Sequence, residues 1–192
     1  MSKNNRSGQA AVLTDSDHHR IRKNFNSLHH RLMWDIAQFT GERWGAIIKL
    51  KISDVYNNRG EVREEITFRA VTRKASPDGI RQTRQVPLHP TLYEILASYK
   101  PPQGIWLFPG MDGKHISMQA ADAALRRAVA RAKLEGKGIS SHSTRRTFIT
   151  ELHKKGVDIY MIQQITGHKD LKALGGYIEK DKKRVREAIA LL

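Results

Sequence analysis

Several short stretches of this sequence carry side chains able to hold an anion or move a proton. His142-Ser143-Thr144-Arg145 opens a helical pattern, with Arg145 three residues beyond His142, so both side chains stand on one side of the helix start. A helix N-terminus favours an anion through its free N–H groups and its dipole. Two potentially cationic side chains there make a candidate phosphate clamp, although an isolated H-x-x-R is more often a capping segment with solvated basic residues. Thr40-Gly41-Glu42-Arg43 breaks one helix and points a second arginine toward the start of the next, which alone is a common local pattern. Gly167-His168 follows a predicted helix over 158–166 and by itself reads as a helix stop. Tyr177 comes nine residues after His168, and a lone tyrosine in a basic chain is ordinarily a half-buried aromatic. Lys74 sits at the end of a predicted strand, just before the turn Pro77-Asp78-Gly79, and is the only lysine of its loop. A turn lysine is usually solvated, and Arg73 and Arg81 compete with it as the local cation.

The elements that must position these residues read as α+β: helices with one small antiparallel sheet. Residues 1–12 are small and polar and are expected to form a flexible tail. Thr14 to Asp17 offers N-cap candidates for a first helix. A second runs from about Ser27 to Phe39, with Leu28, Leu32, Ile36 and Phe39 on one face. Arg43 to Leu50 reads as a short helix. Val62 to Thr72 alternates and is rich in β-branched residues, so it reads as a strand returning through Gln82 to Leu88. A short strand near Ile52 to Tyr56 would make the sheet three-stranded. Helices are then predicted over 91–99, 117–134, 143–155, 158–166, 171–178 and 182–191, with Gly156 and Gly167 at C-cap positions.

Composition narrows the partners. The 34 Lys and Arg against 19 Asp and Glu give a net charge of +15, the footprint of a protein that neutralises phosphates. A ribosome-associated or membrane-surface protein would share that excess. With no cysteine, disulfides, thiolate catalysis and cysteine-based zinc sites are excluded. The first ten residues hold no apolar core of a signal peptide, and no stretch approaches the length needed to span a bilayer. A cysteine-free basic chain fits the cytoplasm. His18-His19 and His29-His30 are neighbours on helices, do not face each other, and make poor metal pairs.

In order, T-G-x-R, a lysine beside a β-turn, H-x-x-R, G-H and a tyrosine nine residues later resemble the tyrosine recombinase (phage integrase) family. His142 and His168 are 26 residues apart, similar to the family's usual spacing. Leu50 to Val55 (LKISDV), Arg84 to Leu88 (RQVPL) and Trp106-Leu107-Phe108 extend the likeness over roughly 13–180. Several ordered motifs matching at once are specific where each alone is not. Two positions depart from the pattern. Ala46 stands three residues after Arg43, where the family usually has Glu or Asp, and Thr144 stands where Leu is frequent.

The resemblance implies a mostly helical catalytic domain over 13–180 with a three-stranded antiparallel sheet. It implies a site-specific recombinase that cleaves and rejoins double-stranded DNA through a covalent 3′-phosphotyrosine. Tyr177 would be the nucleophile, Arg43 and Arg145 the phosphate clamp, His142 the general base, His168 a donor to a phosphoryl oxygen and Lys74 the general acid. No cofactor, metal, ATP, small-molecule substrate or membrane would be needed. The tail 181–192 reads as an amphipathic helix, either docked on its own core or exchanged between protomers. The expected assembly is a monomer in isolation and a homotetramer on DNA. Family members usually carry an N-terminal DNA-clamping domain, for which this chain starts too late. Three other readings stay open. One is a catalytically impaired relative that binds DNA without cutting, which Ala46 keeps in view. The others are a magnesium-dependent nuclease or transposase, and a topoisomerase of the same chemistry.

Overall fold

A computed structural model describes residues 9–73, 79–168, 170–177, 186, 189 and 190. The chain divides into two compact units, 1–148 and 149–192, and each is taken by itself.

In the first unit, Thr14 and Asp17 close a capping box at the head of α1 (Asp15–Lys23). Each side chain satisfies the other's backbone N–H, which an unfinished helix end would leave unpaired. Helix α2 (Leu28–Thr40) is capped by Ser27 and ends at Gly41, whose left-handed backbone (φ 60) a glycine adopts without strain. It buries Leu32, Met33, Trp34, Ile36 and Ala37. Helix α3 (Trp44–Ile47) follows after three intervening residues. Strands β1 (Glu65–Phe68) and β2 (Arg84–Pro87) pair antiparallel, from Glu65 opposite Pro87 to Phe68 opposite Arg84. Helix α4 (Pro90–Ser98) starts with proline at its first position, where the missing N–H costs nothing. Helix α5 (Met118–Arg131) buries Ala121, Ala124, Leu125, Ala128 and Val129 at helical spacing. That mostly small face contacts α1 and α2. Helix α6 (Ser143–Lys154) begins in this unit.

The chain ahead of α1 is tied to the start of α6. The Leu13 N–H donates to Thr147 Oγ1 at 2.8 Å, and the next residue back in α6, Arg146, donates from Nη1 to the Ala10 carbonyl at 2.7 Å. Thr147 Oγ1 in turn donates to the Ser143 carbonyl at 2.8 Å, so its hydroxyl is satisfied in both directions.

In the second unit, Asp158 caps α7 (Ile159–Thr166) by accepting the N–H groups of Tyr160 and Met161, and Gly167 ends the helix at φ 66. Asp170 caps α8 (Leu171–Gly175), which packs on α7. Ile149, Ile162 and Leu174 are buried.

The expected third strand does not form: among the described residues the sheet has two strands. Residues 52–54 make a 3-10 turn instead, because Asp54 Oδ2 reaches back to accept the Lys51 N–H at 2.8 Å and closes the backbone locally. Tyr56 and Val62 retain a single bridge. The strand expected over 62–72 shortens to four residues and ends in a second 3-10 turn at 70–72. Of the helix expected over 171–178, the part through Gly175 is present. The turn at 74–78 and nearly all of the tail 181–192 lie outside the described residues. No helix among the described residues is long and apolar enough to cross a membrane.

Gly41 carries a testable requirement. A Cβ on it would overlap the Phe148 ring, and its φ of 60 disfavours any L side chain. Gly41→Ala is expected to destabilise the protein by roughly 1–3 kcal/mol, read as a lower denaturant midpoint at unchanged m-value. A loss within 0.5 kcal/mol, the ordinary scale of a surface change, would show that the helix end relaxes freely.

Candidate active site

Arg43 is the N-cap residue of α3, with extended backbone. Its half-buried side chain lines a cleft of about 400 Å³ whose walls also include Glu42, Arg73, Arg81, His142 and Arg145. Three of the residues singled out by sequence, Arg43, His142 and Arg145, therefore share one cavity in the first unit. His142 is exposed and immediately precedes α6. Its carbonyl accepts the Arg146 N–H at 3.0 Å, which fixes its backbone to the first turn.

Arg145 is 2 % exposed. Its Nη1 donates to the Gly41 carbonyl at 2.8 Å and lies 3.8 Å from Glu42 Oε1. Arg84, on β2, donates from Nη2 to the Thr40 carbonyl at 2.9 Å. Both guanidiniums thus sit on the last carbonyls of α2, the end of the helix that carries partial negative charge.

Glu42 is the residue that sequence reasoning passed over. It is 1 % exposed, an unusual place for a carboxylate unless it is paired. Oε1 accepts the Arg43 N–H at 2.8 Å, and Oε2 accepts Arg84 Nη1 at 2.9 Å and lies 3.2 Å from Arg73 Nε. Burial pushes the Glu42 pKa up. Arg84, Arg73 and Arg145, with the Arg43 N–H, outweigh burial and hold it below its ordinary value. Burial also works against the charge on Arg84 and lowers its pKa, but a guanidinium in a protein does not lose its proton. Arg73 further donates from Nη1 to the Gln82 carbonyl at 2.9 Å, tying together the two arms of the β1–β2 loop. The sequence signal for Glu42 was an acid between a helix-breaking glycine and an arginine, with alanine at position 46. Arg84 was visible only as part of a strand.

In the second unit His168 and Tyr177 come together, ring centroids 5.8 Å apart and tilted by 55°. Thr166 Oγ1 donates to the Ile162 carbonyl at 2.6 Å and lies 2.7 Å from His168 Nδ1. Tyr177 is held by its backbone: its N–H donates to the Leu174 carbonyl at 2.8 Å, and its carbonyl accepts Thr150 Oγ1 at 3.2 Å. Lys74 lies outside the described residues. Among the described residues no group of three or more His, Cys, Asp or Glu side chains is arranged to hold a metal ion.

The model of the phage integrase family matches residues 11–184. The tyrosine recombinase XerD of Staphylococcus saprophyticus is 27% identical over 171 residues, which cover 84% of this chain and 54% of that protein. The chain spans about half the length of the curated relatives it matches. The crystal structure of XerA recombinase superposes with a TM-score of 0.72 at 21% identity, covering 96% of this chain and 66% of that one. The XerH site-specific recombinase bound to its difH substrate gives 0.69 at 22%, covering 97% and 56%. At such identities these two structures establish a shared fold.

Proposed function

Because this chain belongs to the phage integrase family, we propose that it breaks and rejoins double-stranded DNA, with Tyr177 as the nucleophile. The observation that carries this reading is the single cleft holding Arg43, His142 and Arg145 beside a buried carboxylate. The net charge of +15 supplies the long-range attraction to DNA, and the structurally similar XerH is a recombinase solved on its DNA substrate.

The two arginines grip the non-bridging oxygens of the scissile phosphate, where charge accumulates as phosphorus becomes five-coordinate. The Tyr177 oxygen attacks phosphorus while His142 takes the phenolic proton. The bond from phosphorus to the 5′ oxygen breaks, and Lys74 returns a proton to that oxygen. The products are a 3′-phosphotyrosine and a free 5′ hydroxyl. Attack by another 5′ hydroxyl reverses the chemistry, so rejoining needs no ATP. His168 donates a hydrogen bond to a phosphoryl oxygen. The ion pair of Arg73 with Glu42 supports Lys74 over Arg73 as the acid, because a paired guanidinium is a poor proton donor. A tetramer on DNA, with the tail 181–192 exchanged between protomers, belongs to the same reading.

A nicked suicide substrate tests it. Wild-type protein is expected to accumulate covalently on the DNA and to do so equally in EDTA, because arginine and lysine charge serves where other enzymes use magnesium. No adduct, or an adduct abolished by EDTA and restored by magnesium, would sink the proposal and favour carboxylate and metal chemistry.

A further inference from the structure

Tyr177 comes directly after a short helix that ends in two glycines. Gly175 closes α8, and Gly176 caps it with an ordinary right-handed backbone (φ -68, ψ -13). Gly175 has no left-handed φ, and a Cβ added to it would meet no atom within 4 Å. Neither backbone conformation nor crowding therefore calls for glycine at 175. Two adjacent glycines make a soft link, and a helix of five residues is not stable by itself. The direction in which the next residue leaves must be set from outside the helix.

The two backbone groups of Tyr177 are both held. Its N–H donates to the Leu174 carbonyl at 2.8 Å, a bond local to the end of α8, and Leu174 is buried. Its carbonyl accepts from Thr150 Oγ1 at 3.2 Å, a bond that crosses 27 positions of sequence to reach α6 within the second unit. Peptide groups are planar, so bonds on both sides of the Tyr177 Cα fix the two planes that set where its Cβ points. Thr150 is also distinctive among the helical threonines. The hydroxyls of Thr40, Thr147 and Thr166 turn back to the carbonyl four residues earlier in their own helices, the usual arrangement. Thr150 is 6 % exposed, and its hydroxyl bonds to Tyr177 instead.

We propose that Thr150 is a positioning residue for Tyr177, its hydroxyl holding the tyrosine carbonyl so that the phenol leaves the soft Gly175-Gly176 link in one direction. The proposal rests on the reading of Tyr177 as the nucleophile, but the hold on the ring can be measured without DNA. Thr150→Val keeps the branched shape and removes the donor. Thr150→Ser keeps the donor and removes a methyl group. Gly175→Ala stiffens the link where space and backbone permit a side chain.

Two readouts test this on the intact chain. The first is the single-turnover rate of adduct formation on a suicide substrate. Misplacing a reacting atom by about 1 Å can cost about 10²-fold, so Thr150→Val is expected to lose about 10–100-fold. Its DNA affinity should stay within about threefold, because affinity is spread over many phosphate contacts. Thr150→Ser should keep most of the rate, and Gly175→Ala added to Thr150→Val should recover part of it. The second readout is the fluorine spectrum of protein carrying 3-fluorotyrosine at its five tyrosines, in which the Tyr177 signal is the one missing from Tyr177→Phe. That signal is expected to move toward the free amino acid in Thr150→Val and to stay in Thr150→Ser. If valine does not fold, Thr150→Ala removes the same donor and carries the test. An unmoved Tyr177 signal would overturn the proposal whether or not the protein cuts DNA. An undiminished rate in Thr150→Val, or equal losses in the valine and serine variants, would overturn it too, because the hydroxyl would then hold nothing that matters to the attack. A wild type that forms no adduct, with a Tyr177 signal that still moves in Thr150→Val, would instead overturn the cleavage reading and uphold the grip of Thr150 on Tyr177.

Discussion

Tyr177→Phe is expected to eliminate the covalent DNA adduct while leaving DNA affinity and melting temperature nearly unchanged. In the proposed reaction the phenolic oxygen is the atom that bonds to phosphorus, and no other atom of the side chain can replace it. The position itself is fixed by the backbone, through the Leu174 carbonyl and the Thr150 hydroxyl, and both contacts survive the substitution. The ring also keeps its place beside His168. DNA affinity in such proteins is spread over many phosphate contacts, so one hydroxyl contributes little. The measurement is a denaturing gel of protein incubated with suicide DNA, beside a binding titration. An adduct with the phenylalanine variant would transfer the nucleophile to another residue. Loss of binding in parallel would mean that Tyr177 holds the DNA instead of cutting it.

Arg145→Lys should lower the cleavage rate by about 10²–10³, the usual effect of deleting one donor to a developing oxyanion. Lysine keeps the charge, so a purely coulombic role would survive. The arginine, however, has two tasks. Its Nη1 is anchored to the Gly41 carbonyl and lies near Glu42, and the proposed reaction also asks it to bind the phosphate. A guanidinium spreads five donors over a rigid fork, whereas an ammonium is a single centre that cannot occupy both places. Single-turnover cleavage at saturating protein isolates the chemical step, and thermal melting controls for the buried site. A rate within threefold of wild type would show that charge alone suffices at position 145.

Much of this was legible in the sequence wherever a local rule governs. Thr14 with Asp17, Gly41 and Gly167 act within one helix end, and the helix boundaries fall close to where those residues put them. Of the residues picked out by the family order, Arg43, His142 and Arg145 line one cleft, and His168 and Tyr177 lie side by side. The third strand was misread because Ile52 to Tyr56 has strand composition, while Asp54 competes for its backbone with a hydrogen bond that alternation does not register. Glu42 was illegible for the opposite reason. Its meaning depends on Arg84, 42 positions along the chain, and on Arg145, farther still, and an acid beside a helix break looks like surface charge until those partners are placed around it.

The attachment of residues 10–13 to α6 has a mechanical consequence. Ala10 and Leu13 are gripped by Arg146 and Thr147, the two residues that directly follow Arg145 in the helix. A tension applied along the chain from the N-terminal side is therefore not dissipated at α1. It is delivered to the α6 turn that carries Arg145, with two hydrogen bonds as the coupling. Any body that clamps or tugs the chain upstream would act on the helix carrying Arg145 as a hand acts on a lever, at a point one residue from the fulcrum.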